Sequence, residues 1–161
     1  MTDSPSGLSK AVWTDADFPV MGWHDCRIHA VSVAEYEDDT LPPTRLLLDL
    51  DYIVRWVDPA PRQKYFTFWI APVTLVFEQV WDVTGEIGPL HEGLEIADLH
   101  RLAPPDDKPY PAWRIEGHEF ELRFRASGYR QYVRTPPQHV SQQVLTLTQR
   151  GGLSFAEQAF A

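Results

Sequence analysis

The residues best able to do chemistry near the start of the chain are the adjacent His24 and Asp25, which follow Trp23. A histidine beside a carboxylate can act as a general base or as a pair of metal ligands. Neighbouring side chains on an extended chain point to opposite faces, which makes it hard for the two to share one ion. The structural alternative is that Trp23 enters the core and Asp25 accepts hydrogen bonds from backbone amides at a strand start.

A second group of this kind contains Glu95, Asp98 and His100, with His91 and Glu92 just before it. Asp98 and His100 have the same parity, so on a strand they could meet one ion. Their spacing matches no standard metal motif, and the sequence predicts no cofactor. The sequence therefore predicts no metal site, and Asp98 and His100 are the residues that come nearest to one.

Asp49 and Asp51 share a face of a predicted strand. Paired carboxylates can carry out acid–base chemistry or bind a divalent cation. Arg45 and Arg55 lie on the same face. The simpler interpretation is a solvated ladder of alternating charges.

Nucleophilic catalysis finds little support in the sequence. No Gly-x-Ser-x-Gly motif, glycine-rich phosphate loop or dinucleotide fingerprint is present. Cys26 is the single cysteine, which excludes an internal disulfide and multi-cysteine zinc sites. It is typical of a small buried residue at a strand start. The sequence thus predicts no catalytic residue, and whether the protein is an enzyme stays open, with the balance against it.

Charge is distributed unevenly along the chain. Residues 108–161 hold seven basic and four acidic side chains, a net charge of +3, and the remainder carries −12. Within this basic segment, Arg130, Tyr132 and Arg134 share one face of a predicted strand. This stripe could bind an anion, a carboxylate or an acidic partner, or it could pair internally with the acidic remainder. Together with the residues around His24, it gives this candidate binding surface: Trp23, His24, Asp25, Tyr129, Arg130, Tyr132 and Arg134.

The elements that must position these residues are strands. Alternation is clearest over 44–57, where Leu46, Leu48 and Leu50 fall on one parity. Further strands are predicted at 26–36, 64–70, 73–83, 94–102, 112–116, 119–126 and 129–133, with loops at 37–43, 84–93 and 103–111. Pro72 predicts a break or an edge. This pattern predicts a mainly β fold, an antiparallel sandwich or partly open barrel with a C-terminal helical segment.

A chain of 161 residues with 43% hydrophobic residues predicts one domain with a real core. We expect a flexible N-terminal tail at 1–17, an all-β domain at 18–134 and a helical tail at 135–161 that packs on it. In that tail, Ser141 could cap a helix and Gly151-Gly152 could stop it. Residues 154–157 resemble a capping box for a last helical turn.

The composition also excludes some classes of protein. There are 23 acidic and 14 basic residues, for a net charge of −9, which is unlike a protein that binds nucleic acid through phosphates. No stretch reaches the roughly 20 apolar residues of a membrane helix, and no signal peptide is visible. The sequence predicts a soluble, acidic, cytoplasmic protein, with no nucleic-acid or membrane partner.

Four segments resemble uncharacterised bacterial β-rich proteins: 23–25 (Trp-His-Asp), 47–51 (Leu-Leu-Asp-Leu-Asp), 68–78 and 128–132 (Gly-Tyr-Arg-Gln-Tyr). The Trp-x-Asp opening followed by serial strands is also similar to some immunity proteins of bacterial toxin systems. The resemblance implies an all-β bacterial protein with no assigned reaction.

Three hypotheses of function follow. The first is a non-enzymatic protein-binding domain, including the immunity type, whose negative surface meets a basic protein partner. The second is a metal-binding protein or hydrolase that uses His24, Asp25, Asp98 and His100. The third is a small-ligand-binding β-barrel, lined by Tyr52, Trp56, Phe68, Trp69 and Trp113.

Overall fold

Antiparallel strands dominate the computed structural model, which describes residues 4–34, 44–104 and 107–161. The strands are β1 (Val12–Thr14), β2 (Arg27–Ala34), β3 (Thr44–Val57), β4 (Thr67–Ile87), β5 (Leu94–Leu102), β6 (Ala112–Gly117), β7 (Phe120–Arg125), β8 (Gly128–Val133) and β9 (Gln138–Val140). A 3-10 helix spans Asp15–Val20, and the α-helix α1 spans Leu147–Arg150. The mainly β, antiparallel fold with a short helix near the C-terminus is confirmed.

The strands of the described residues form one sheet that closes on itself in part. Its order is β1-β8-β4-β3-β2-β5-β6-β7, and β4 also pairs with β7, so that β4, β3, β2, β5, β6 and β7 form a ring. Closure is possible because β4 is 21 residues long: its first part pairs with β3, β8 and β9, and its last part with β7. The shortest strand pairing in the ring is between β2 and β5, where only Arg27 and Ile28 pair with Glu95 and Leu94.

Aromatic rings fill the inside of the fold. Trp113 lies 5.3 Å from Phe77 and 5.6 Å from Tyr129 between ring centroids, and Phe77 lies 4.7 Å from Phe124. The alternating leucines of β3 point into this core, as the sequence predicted. Aromatic pairs in edge-to-face geometry add stability beyond the area that they bury.

Pro72 does not break the strand that contains it. Its carbonyl accepts a hydrogen bond from the Arg134 backbone N–H. The N–H and C=O of one residue in an antiparallel strand point to the same side, so the N–H that proline lacks would also point to this side of β4. On that side β9 pairs with residues 68–70 and β8 pairs with 73–78, which leaves Pro72 in the gap between the two ladders. The predicted break is therefore wrong, because no ladder N–H is needed at this point.

The loop predicted at 84–93 begins later, since β4 continues to Ile87. Gly85 suggested a turn, but it marks a close approach of two strands. A Cβ atom at this position would lie 2.4 Å from the Glu121 carbonyl oxygen on β7. Only glycine lets the backbones pair at this distance.

Both chain ends differ in detail from the sequence prediction. Residues 12–20, partly assigned to a tail, form β1 and the 3-10 helix, and β1 pairs with β8. α1 has four residues, is capped by Thr146 instead of Ser141, and ends at Gly151 with a φ of 75°. Residues 154–157 are not helical. The predicted loop at 37–43 and part of that at 103–111 lie outside the described residues.

Candidate functional site

The carboxylates of Asp49 and Asp51 are buried beneath the C-terminal segment and do not form a solvated ladder. Both side chains are fully buried, as is the side chain of Arg150. Arg150 Nη2 donates to Asp49 Oδ1 at 2.6 Å and its Nε donates to Asp51 Oδ1 at 3.1 Å. Arg134 Nη2 donates to Asp49 Oδ1 at 2.7 Å, and His29 Nε2 lies 2.8 Å from Asp51 Oδ2. The predicted charge ladder is wrong because the tail covers this face of β3.

Backbone amides complete this buried charge cluster. The Ser154 N–H donates to Asp49 Oδ2 and the Leu145 N–H donates to Asp51 Oδ2, both at 2.9 Å. Burial alone would raise the pKa of Asp49, but the hydrogen bonds from Arg150, Ser154 and Arg134 outweigh it and hold that pKa below its usual value. The cluster fixes the tail on the sheet. Its carboxylates are saturated and are not free to act on a substrate.

The lowered pKa of Asp49 predicts acid sensitivity. A depressed folded-state pKa contributes stability that is present above the unfolded value of about 3.9 and is lost as pH falls through the folded value. We therefore expect the free energy of unfolding to fall as the pH is lowered from about 5 through the folded-state pKa of Asp49. Urea denaturation across this range would measure it. The Asp49→Asn variant removes this titration and should show a shallower slope; equal slopes for the two proteins would contradict the prediction.

A second set of ionisable side chains meets where β2, β5 and the β6–β7 turn come together. We call Asp25, Glu95 and His118 the carboxylate–histidine cluster. One ligating atom from each lies within 4.8 Å of the other two. His118 Nε2 lies 3.4 Å from Asp25 Oδ1 and 3.8 Å from Glu95 Oε1.

The backbone holds the members of this cluster in place. The Asp25 N–H donates to the Ile96 carbonyl at 2.8 Å, and the His118 N–H donates to the Glu95 carbonyl at 3.0 Å. Asp25 adopts a φ of 63°, the left-handed conformation that aspartate tolerates better than most residues. Burial and the nearby Asp25 charge raise the pKa of Glu95. One oxygen of each carboxylate lies within 4.8 Å of the other, so a cation close to both is favoured.

His24 lies beside this cluster. Its Nδ1 is 2.9 Å from the Ala97 carbonyl oxygen, and its Nε2 is 3.4 Å from Asp25 Oδ2. The two residues that the sequence singled out do approach each other. Sequence reasoning missed His118, although the Gly-His-Glu turn between β6 and β7 was a polar signal.

Asp98 and His100 do not belong to the carboxylate–histidine cluster. His100 Nε2 bonds Glu116 Oε2 on β6 at 2.8 Å, and Asp98 Oδ1 accepts from the Leu99 backbone N–H. Both residues are on β5, but they lie further along the strand than Glu95, the β5 residue that contacts His118. The hypothesis that His24 and Asp25 share a site with Asp98 and His100 is therefore wrong for these side chains.

The seven residues of the candidate binding surface are divided between core and surface. Trp23 and Tyr129 are buried, so they present no surface to a partner. Arg134 is occupied by Asp49. His24 and Arg130 are exposed, whereas Asp25 and Tyr132 are half-buried. The basic segment is used in part for internal pairing, since Arg150 also belongs to it.

An open groove of about 880 Å³ lies next to His24, where the His24 ring contacts Trp56. We call it the aromatic groove. It is lined by Trp56, Arg62, Gln63, Lys64, Tyr65, Phe66, Thr67, Phe68, Ser141, Gln142 and Gln143. Trp56 is 38% exposed, Tyr65 79% and Phe66 44%. The His24 ring stacks on Trp56 with centroids 6.3 Å apart, so the groove adjoins the carboxylate–histidine cluster.

A second open groove, of about 470 Å³, borders the cluster at His118. Its lining carries four carboxylates, and we call it the acidic groove: Glu86, Glu116, Glu119 and Glu121, with Arg114 and His118. Contacts with His100 and His91 lower the pKa values of Glu116 and Glu119 respectively. Glu121 is paired with Arg114 and Arg123, so part of the negative charge of this groove is compensated.

Cys26 and the aromatic residues expected to line a ligand barrel have different surroundings. Cys26 is fully buried, and burial raises the pKa of its thiol to about 12, which makes it inert as a nucleophile. Among the residues expected to line a ligand barrel, Tyr52 and Trp113 are buried in the core, and Trp56 and Phe68 line the aromatic groove. Trp69 stacks on His139.

No family model, no curated protein and no solved structure matches the chain. Among the described residues, no helix is long and apolar enough to cross a membrane.

Proposed function

We propose that this protein is a non-enzymatic protein-binding domain. Its binding surface runs from the aromatic groove across the carboxylate–histidine cluster to the acidic groove. The observation that carries the proposal is the exposure of Trp56, Tyr65 and Phe66 in one groove beside a concentration of carboxylates. A blocking protein of the immunity type would use such a surface.

Aromatic residues support this proposal because they dominate binding energy at protein interfaces. Trp and Tyr are the residue types most enriched among energetic hot spots. Trp56 packs against Phe66 at 5.8 Å and Phe68 at 4.9 Å between ring centroids, so its indole is held in place before a partner arrives. A pre-organised anchor loses less conformational entropy on binding.

Contacts join the two grooves into one surface. Gln143 lines the aromatic groove and donates from Nε2 to Asp25 Oδ2 at 3.3 Å. His118 lines the acidic groove and contacts Asp25 Oδ1. A partner that covers the cluster would therefore touch both grooves at once.

The charge of the protein indicates which kind of partner would bind. The net charge of −9 and the carboxylates of the acidic groove favour a basic protein, and long-range attraction would speed its association. Arg62 and Lys64 line the aromatic groove, so the partner segment there is apolar and not basic. The partner that fits is a basic protein with an exposed apolar or aromatic side chain.

Replacing Trp56 with alanine should weaken binding of this partner by about 2 kcal/mol or more, roughly thirtyfold in affinity. The partner would first be recovered from cells that naturally make the protein, and its affinity then measured by calorimetry with the purified pair. Trp81, which is 44% exposed on β4, supplies the control variant Trp81→Ala.

The association rate should also fall as salt rises, because screening weakens the attraction between the charges. Equal affinity for the Trp56→Ala and Trp81→Ala variants would contradict the proposed surface. An association rate that does not change with salt would contradict the basic partner.

A further inference from the structure

We infer that Asp25, Glu95 and His118 form a binding site for a first-row divalent metal ion such as Zn²⁺. This site goes beyond the proposed protein-binding function and does not depend on it. It uses one imidazole nitrogen and two carboxylate oxygens, a mixed set that suits zinc and its neighbours, whereas magnesium and calcium take oxygen ligands.

The distances in the cluster are close to those of a loaded site. Tetrahedral ligands lie roughly 3.3–3.6 Å apart when metal–ligand bonds are about 2.0–2.2 Å. His118 Nε2 is 3.4 Å from Asp25 Oδ1 and 3.8 Å from Glu95 Oε1. Small side-chain rotations therefore suffice to bring the three atoms onto one ion.

His24 and Gln143 lie beside the cluster on the other oxygen of Asp25. His24 Nδ1 is 2.9 Å from the Ala97 carbonyl oxygen, and its Nε2 is 3.4 Å from Asp25 Oδ2. Gln143 Nε2 donates to the same Asp25 Oδ2 at 3.3 Å. Asp25 Oδ1 is therefore the oxygen that faces His118 and is available to a metal ion.

The surroundings are compatible with metal entry. Asp25 and Glu95 are half-buried and His118 is exposed at the border of the acidic groove, so an ion can reach the cluster from solvent. The backbone bonds from Asp25 to Ile96 and from His118 to Glu95 fix the ligands before binding. Three protein ligands leave at least one position open, which a water molecule can occupy.

The test is a titration of the chelator-treated full-length protein with Zn²⁺ at pH 7.5, followed by calorimetry, with Co²⁺ absorption as a second readout. We expect one ion per chain, a higher melting temperature with Zn²⁺, and no competition from a large excess of Mg²⁺. His118→Ala should weaken Zn²⁺ binding at least about tenfold. His100→Ala is the matched control, because His100 pairs with Glu116 outside the cluster, and it should bind as the wild type does.

Circular dichroism would confirm that the variants are folded. If His118→Ala does not fold, Glu95→Gln, which keeps the shape of the side chain, serves in its place. The inference is overturned if the wild-type protein takes up no Zn²⁺, or if the cluster variant binds the ion as tightly as His100→Ala.

Discussion

Replacing Arg150 with methionine is expected to lower the free energy of unfolding by about 3–5 kcal/mol. The guanidinium is fully buried and donates to both Asp49 and Asp51. Its removal leaves two carboxylates in the interior with too few partners, and the cost of such a charge far exceeds that of a lost surface ion pair. Methionine keeps most of the volume, so the loss reports on charge and not on packing.

Urea denaturation at pH 7 measures this effect. Arg130→Met is the matched control, since Arg130 is exposed on β8 and its replacement should change stability by no more than about 0.5 kcal/mol. A loss of similar size in the two variants would show that the buried charge cluster does not hold the tail. We also expect residues 145–160 to become more sensitive to proteases in Arg150→Met, because Leu145 and Ser154 donate backbone hydrogen bonds to the same carboxylates.

Replacing Trp113 with alanine is expected to cost about 3–5 kcal/mol. The indole is 1% exposed, lies among the rings of Phe18, Phe77 and Tyr129, and donates from Nε1 to the Ala126 carbonyl at 3.2 Å. The variant loses the transfer energy of a large ring and leaves a cavity that the closed ring of strands cannot easily collapse to fill.

Thermal and urea unfolding would both measure the loss for Trp113→Ala. Trp81→Ala removes the same side chain from a position on β4 that is 44% exposed, and it should cost far less. If the two variants unfold at the same urea concentration, the aromatic core is not what stabilises the sheet.

The strands were largely predictable from the sequence, and the reason is local. Residues 44–57 alternate between leucines and polar residues with the period of a pleated strand, and β3 has these bounds. The hairpin around Gly117 was predictable for the same reason, since Phe120 and Phe124 alternate with charged residues. The tail is helical only over Leu147–Arg150, because Val140 joins β9, where pairing with Phe68 replaces helical hydrogen bonds.

Only half of the candidate site was predictable from the sequence. His24 and Asp25 stood out as a histidine beside a carboxylate. Their partners Glu95 and His118 are separated from Asp25 by 70 and 93 residues, and only the pairing of β2 with β5 and of β5 with β6 brings them together. Asp98 and His100 lie on β5, as Glu95 does, but too far along the strand to join the carboxylate–histidine cluster.

The sequence by itself determined the period of the strands, the apolar face of β3 and the acidic character of the protein. Each of these follows from neighbouring residues along the chain. Only the tertiary structure decided what covers the opposite face of β3. Arg134 and Arg150 follow Asp49 by 85 and 101 residues, and a pattern with a period of two cannot distinguish a carboxylate in water from one beneath a distant arginine. The net charge of −9 is a sum over the chain. Its division into a buried cluster and an acidic groove depends on which side chains the closed sheet brings together.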